Sequence, residues 1–136
     1  FGEHSAAMEV AAYLETRDFQ LLIVDDRSDQ LVRARDQGYQ TAELDFRDDS
    51  ELQTLDLSDP GTTVFSLFDS DAENVFLIIS IRAMSPHTPI VTIAQEQATV
   101  DRLTAAGADR VIDVHEISGR RIWDMFSNPM LSELLE

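Results

Sequence analysis

Short apolar segments alternate with longer amphipathic ones along the whole chain, and this alternation restricts the fold more than any other feature of the sequence. Residues 20–24, 63–68 and 89–94 are mostly apolar, as expected of strands that are covered on both faces. Between them, apolar residues recur with helical spacing, as in residues 5–16 and 70–84. Buried strands separated by helices predict a parallel sheet with helices on both of its faces.

The order of these segments predicts a first strand that ends at Phe1 and five further strands. The further strands are residues 20–24, 39–44, 63–68, 89–94 and 110–114, and the helices are residues 5–16, 29–37, 48–55, 70–84, 97–106 and 116–126. The predicted fold class is therefore α/β, a Rossmann-like, doubly wound parallel sheet of six strands. We assign residues 1–127 to this domain, with its first strand truncated, and residues 128–136 to a C-terminal apolar helix.

Composition excludes several classes of function. The net charge of −16 argues against nucleic acid as a partner, because a phosphate backbone requires clustered positive charge. All ten basic residues are arginine, so no mechanism that needs a lysine is available. The absence of cysteine excludes disulfides and zinc–thiolate sites. No apolar run approaches the roughly 20 residues of a membrane helix, so we expect a cytoplasmic chain.

The strongest local pattern lies at the amino end of the chain. A dinucleotide-binding unit has a strand, a glycine-rich turn, a helix, and a second strand that ends in an acid. Gly2 can form the tight turn, Ala7 is small enough for close packing of helix on strand, and Asp25 is the acid. His4, however, stands where a glycine would let the backbone approach a pyrophosphate.

Two interpretations of this turn remain open. In the first, amides at the start of the helix bind a phosphate with the help of His4 and Ser5, and Asp25 holds a ribose. In the second, the turn is only a connection and the pocket is empty or altered. The bulk of His4 disfavours a dinucleotide, so a mononucleotide or no ligand is expected.

Several motifs along the chain together resemble those of the RCK (regulator of K⁺ conductance) N-terminal domain, also called TrkA-N or KTN. The likeness covers nearly the whole chain, and its most specific part is "AAGADRVI" followed by "EISGR". The segments that carry it are residues 2–7, residues 21–25, Gly38-Tyr39 with Asp45, residues 64–74 ("VFSLFDSDAEN"), residues 105–112 and residues 116–120.

This resemblance implies a regulatory ligand-binding domain of a potassium channel or potassium transport system, with a degenerate nucleotide site and no enzymatic activity. It implies a homodimer or a larger ring, a membrane-embedded potassium pore or transporter subunit as partner, and a place at the inner face of the cell membrane. The implied ligands are AMP, ADP, ATP or NAD(H). Gly2 and Ala7 correspond to the phosphate turn, Asp25 to the ribose acid, and Asp45 to a residue near the base.

The chain departs from this family at the positions that bind calcium in some members. Leu67, Ile93 and Gln95 stand where those members have carboxylates, so calcium binding there is not expected. Ile93 also stands where an arginine often follows the fifth strand. His87 and the other two histidines have no metal-ligand spacing, and we expect neither a metal site nor catalytic residues.

Two other classes compete with this interpretation. The segment "LLIVDDRSDQ" and Asp69, which follows a later strand, resemble a receiver that accepts a phosphoryl group. A receiver needs a lysine, however, and has no helix before its acidic strand. A nucleotide-dependent enzyme fragment is the other alternative, but the chain has no room for a substrate domain.

The carboxyl end of the chain is apolar. This pattern fits either packing against the sheet of the same chain or a helix that contacts a second copy, and we favour the contact. The residues concerned are Trp123, Met125, Phe126, Met130, Leu131 and Leu134.

Overall fold

The computed structural model describes residues 1, 5–17 and 19–113. Its helices are α1 (Ser5–Glu15), α2 (Ser28–Asp36), α3 (Asp49–Leu52), α4 (Asp71–Met84) and α5 (Val100–Ala106), which follows a 3-10 turn (Gln97–Thr99). Its strands are β1 (Leu22–Asp25), β2 (Gln40–Glu43), β3 (Val64–Ser66), β4 (Ile90–Ala94) and β5 (Arg110–Asp113). The predicted helices 116–126 and 128–136 lie outside the described residues.

Local chemistry explains where these helices begin and end. Ser70 is the N-cap of α4, and its hydroxyl accepts a hydrogen bond from the Glu73 amide at 3.3 Å. The Asp48 carboxylate caps α3 in the same way. Gly107 follows the last turn of α5 with φ of 126°, a conformation that glycine adopts without strain.

The strands form two parallel sheets. β1 pairs with β2, and β4 lies between β3 and β5. The Phe1 amino group donates a hydrogen bond to the Phe65 carbonyl at 2.7 Å, and the Leu67 amide donates one to the Phe1 carbonyl at 3.0 Å. This is the bonding pattern of a parallel pair opposite Ser66. The described residues thus form five strands in two sheets. Of the additional first strand predicted from the sequence, Phe1 is the one residue that the structure describes.

Helices cover both faces of the sheet, as the sequence predicts. All five residues of β4 are buried, and its four apolar residues are divided between two apolar clusters. Ile90 and Ala94 pack in the cluster that contains the inner face of α4, whereas Val91 and Ile93 pack in the cluster that contains α1. A strand covered on both faces has no polar side to show, which accounts for its apolar sequence.

A groove of about 510 Å³ separates the facing edges of β1 and β3. Residues 21–24 line one side of it and residues 62–65 the other, and residues of α1 together with Leu55 and Leu57 complete the wall. Phe1 lies in this groove, and its backbone is hydrogen-bonded there to β3.

At the carboxyl end of α4, Arg82 connects the loop after α4 to the loop after α5. Its guanidinium donates to the carbonyl of Gly107 at 2.7 Å, to that of Pro86 at 2.8 Å and to that of Thr88 at 2.9 Å. The same group pairs with the Asp109 carboxylate at 3.1 Å. Five donors in one planar group let a single side chain satisfy this many acceptors.

Candidate functional site

The candidate site lies where the parallel strands end. Asp25 is the last residue of β1, Asp45 lies two residues beyond β2, and Phe68 lies two residues beyond β3. The carboxyl ends of parallel strands meet at one edge of a sheet, and ligands of such folds bind in the crevice outside that edge. The predicted ribose acid and the predicted base contact therefore belong to the same edge.

Asp25 is buried, and arginine already binds it. Its side chain has no exposed surface, and its Oδ1 accepts hydrogen bonds from the backbone amide and from Nε of Arg27, both at 3.1 Å. The Arg27 side chain remains half exposed. A ribose hydroxyl can reach this carboxylate only if Arg27 moves aside.

Arg47 extends across the mouth of the crevice. Its NH1 contacts Oδ2 of Asp26 at 3.0 Å, and its NH2 lies 3.7 Å from Oε1 of Glu73 on α4. The guanidinium also stacks on Phe46, with 4.4 Å between its carbon and the ring centroid. Arg47 thereby joins the β1–β2 half of the domain to the β3–β5 half.

Negative charge predominates in the crevice. Four carboxylates surround two guanidinium groups, which leaves a local charge of −2: Asp25, Asp26, Asp45 and Glu73 against Arg27 and Arg47.

Two of these groups have shifted pKa values. Hydrogen bonding to Asp25 raises the pKa of Arg27. Burial alone would raise the pKa of Asp26, but hydrogen bonds that include the one from the Arg47 guanidinium outweigh burial and lower that pKa. Both groups are therefore charged at neutral pH. An uncharged hydroxyl that donates to a carboxylate suits this crevice better than a chain of phosphates does.

A buried asparagine fixes the floor of the site. The Asn74 Oδ1 accepts from the Ser66 hydroxyl at 2.8 Å and from the Phe68 amide at 3.0 Å. Its Nδ2 donates to the carbonyl of Phe68 at 3.0 Å and to that of Ile93 at 3.5 Å. One side chain of α4 thus holds the ends of β3 and β4 in place.

Asp71 fixes the loop after β4. Its two carboxylate oxygens accept from the Gln95 amide at 2.9 Å and from the Thr99 hydroxyl at 2.6 Å. The first turn of α4 therefore holds this rim of the crevice as well as its floor.

The residues predicted for the phosphate turn are only partly described. Gly2 and His4 lie outside the described residues, and Ser5 is the first residue of α1. Ala7 is buried and packs in the cluster that joins α1 to the sheet. Asp45 is exposed, and its Oδ1 accepts from the Arg47 amide at 3.0 Å.

Sequence reasoning missed Arg27, Arg47 and Glu73. Arg27 had a usable signal, because it lies two residues after the predicted acid. Ile93, which the resemblance matched to an arginine that follows the fifth strand in the family, lies within β4 with 1% of its surface exposed, in agreement with the strand predicted over residues 89–94. It packs against α1, so it does not contribute a side chain to the crevice.

Within the described part of the chain, no helix combines the length and apolar character needed to cross a membrane. Among the same residues, no group of three histidine, aspartate or glutamate side chains could hold a metal ion.

Comparison with known proteins agrees with this architecture. The chain is 36% identical over 72 residues to Potassium channel protein 1 of Methanocaldococcus jannaschii, which is 53% of this chain and 22% of that protein. It therefore spans about a fifth of the length of the curated relatives it matches.

Solved structures share the fold at lower identity. The NAD(P)-binding domain of an exopolyphosphatase-related protein from Archaeoglobus fulgidus matches with a TM-score of 0.75 at 19% identity, covering 98% of this chain and 92% of that one. The GsuK channel bound to NAD matches with a TM-score of 0.74 at 24% identity, covering 82% of this chain and 20% of that one.

The strand order, the covered sheet and these structural likenesses define a Rossmann-like α/β domain. Residues 2–114 match the TrkA-N domain model. The chain belongs to the TrkA-N domain family and is homologous to parts of potassium channel proteins.

Proposed function

We propose that this chain is a regulatory ligand-binding domain of a potassium channel or potassium transport system, and that it binds its ligand without turnover. The observation that carries the proposal is the TrkA-N match over residues 2–114 together with the likeness to potassium channel protein. Its membrane partner is a potassium pore or transporter subunit, and its place is the cytoplasmic face of the membrane. Ligand binding would change the angle between neighbouring domains, and the pore would respond.

The ligand that we propose is an adenine mononucleotide. Structures of GsuK contain NAD and, in another case, ADP. In this chain Asp25 would accept the ribose hydroxyls once Arg27 turns outward, and Asp45 would lie near the base. The local charge of −2 opposes each added phosphate, so AMP should bind more tightly than ATP.

Calorimetry tests this binding directly. We expect heat of binding for AMP, weaker binding for ADP and ATP, and weaker binding for NAD and NADH. Asp25→Asn should lower the AMP affinity about tenfold, because a charged acceptor for two hydroxyls is lost. Asp36→Asn is the matched control, since it removes the same charge at the other end of α2. No binding of any of the five nucleotides at millimolar concentration would reject the proposal.

We further propose that the groove between β1 and β3 holds a sixth strand that ends at Phe1. The pairing of Phe1 with β3 sets its direction parallel to β3. A strand there would join the two sheets into one, with β1 and β3 as its neighbours.

The amino group of Phe1 supplies a pH-dependent test. Burial lowers its pKa to about 6 from 8.0, against the opposing effect of Asp25. Folding therefore disfavours the protonated amine in a chain that begins at Phe1. The free energy of unfolding of that chain should be highest above pH 8. It should decrease as the pH falls from 8 through about 6. The loss is at most about 3 kcal/mol, measured by urea unfolding at each pH.

An extension at the amino end of the chain moves the charged amino group away from Phe1. The effect of added strand residues can then be measured without the effect of that charge. An extension of about five valine and isoleucine residues should raise stability and remove this pH dependence. A glycine–serine extension of the same length should remove the pH dependence without raising stability. Equal stabilities for the two extensions would contradict the sixth strand.

We propose that the domain assembles as a homodimer or as part of a larger ring. The apolar carboxyl end of the chain supports this, with residues 128–136 as a helix that contacts a second copy, separate from the domain of residues 1–127. Deletion of residues 128–136 should then weaken assembly, as measured by light scattering.

A further inference from the structure

Arg47 contacts a carboxylate on each side of the crevice opening. Its NH1 pairs with Asp26, which follows β1, and its NH2 lies 3.7 Å from Glu73 in the first turn of α4. The same NH1 lies 3.8 Å from Asp45, beyond β2. One side chain thus spans the space between the end of β1 and the start of α4. Ligands of such folds bind there, outside the carboxyl ends of the strands.

The backbone that carries this side chain is fixed, whereas the side chain itself is not. The Phe46 ring is buried, with its centroid 4.8 Å from that of Phe68 and 6.2 Å from that of Phe76. The Arg47 amide donates to Asp45 at 3.0 Å. The Arg47 side chain is 49% exposed and lies on the Phe46 ring. It can therefore leave the opening by rotation of its own bonds, while the two halves of the domain stay in place.

The ion pairs of Arg47 are exposed enough to respond to salt. Asp26 and Glu73 are both partly exposed, and ion pairs at such positions are individually weak and screened by salt. Arg27 differs, because it pairs with the Asp25 carboxylate, which has no exposed surface. Salt is therefore expected to release Arg47, while Arg27 stays in place until the ligand displaces it.

We propose that Arg47 is a strap that closes the ligand crevice at low ionic strength and opens as the ionic strength rises. This inference concerns the regulation of the nucleotide site and rests on the proposed function. A closed strap lowers the affinity for the ligand in proportion to the fraction of molecules in which the crevice is open. A domain of a potassium transport system would thereby bind its ligand more tightly when the salt concentration is high.

Calorimetry with adenosine separates the strap from charge repulsion. Adenosine has no phosphate, so salt cannot raise its affinity by screening the negative charge of the site. We expect the adenosine affinity of the original chain to rise about threefold or more between about 50 mM and about 500 mM potassium chloride. Arg47→Gln should bind adenosine about threefold to tenfold more tightly at the lower salt concentration, and it should lose most of this salt dependence.

Two further variants identify the contacts that matter. Arg33→Gln is the matched control, because Arg33 is an exposed arginine in the last turn of α2. It should behave like the original chain, since salting-out of adenosine acts equally on all variants. Glu73→Gln removes the partner of Arg47 on α4 and should also raise the adenosine affinity. Combining it with Arg47→Gln should give no further gain, because both changes release the same strap.

AMP distinguishes a strap from a contact with the ligand. Loss of Arg47 leaves four carboxylates against one guanidinium, a local charge of −3, so AMP should gain less affinity than adenosine does. If the original chain binds AMP but Arg47→Gln binds adenosine no more tightly than the original chain, the strap is wrong and the nucleotide site stands. No binding of adenosine or AMP by either chain would reject the nucleotide site, and the strap with it.

Discussion

Replacing Asn74 with leucine is expected to lower the free energy of unfolding by about 2–4 kcal/mol. Leucine has a similar volume, but it can neither accept from the Phe68 amide nor donate to the Phe68 carbonyl. Both backbone groups would stay buried without their partner, and each such loss costs about 1–3 kcal/mol. Urea unfolding measures the change.

Two further variants define the origin of this effect. Ser66→Ala removes one of the four hydrogen bonds of Asn74 and should cost about 1 kcal/mol. Gln53→Leu makes a similar polar-to-leucine change on the exposed end of α3 and should stay within about 0.5 kcal/mol of the original chain. If Asn74→Leu unfolds like Gln53→Leu, the buried network does not hold the strand ends.

Replacing Arg82 with methionine is the second change with a large expected effect, about 2–3 kcal/mol of lost stability. Methionine keeps much of the aliphatic stem but leaves the carbonyls of Gly107, Pro86 and Thr88 without this donor. Hydrogen bonds from a charged donor contribute more than neutral ones do. Thermal and urea unfolding of the purified variant give the value.

Arg102→Met on the exposed face of α5 is the control, because both changes remove one positive charge from an acidic chain. It should change stability by less than about 0.5 kcal/mol. Arg82→Lys should recover only part of the loss, since one ammonium group cannot reach all of these acceptors. Equal effects of Arg82→Met and Arg102→Met would mean that charge, and not the loop contacts, determines stability.

Most helices and strands could be predicted from the sequence because their periodicity reflects burial. β4 is one example, since its apolar run fits a strand with both faces covered. The helix predicted over residues 48–55 was too long, and α3 spans only Asp49–Leu52. Thr54, within the predicted range, is a poor helix former, which favours the early end. Similarly, the helix predicted from residue 97 begins with a 3-10 turn.

The sequence predicted only part of the candidate site. Asp25 and Asp45 could be placed because they follow recognisable strands. The contact of Arg47 with Glu73 could not be predicted, because it joins residues that are 26 positions apart and depends on how two halves of the domain pack. The resemblance singled out the segment that contains Asn74, but only the structure shows the hydrogen bonds of its side chain.

In the proposed function, the crevice at the carboxyl ends of the strands binds a nucleotide. Titration of the ¹⁵N-labelled chain with AMP, followed by amide NMR spectra, tests both the binding and its place. We predict saturable shifts at the amides of Asp25, Arg27 and Arg47, with no shifts at Gly38 and Gly107 at the opposite edge of the sheet. An unchanged spectrum at millimolar AMP, or shifts confined to the opposite edge, would contradict the claim.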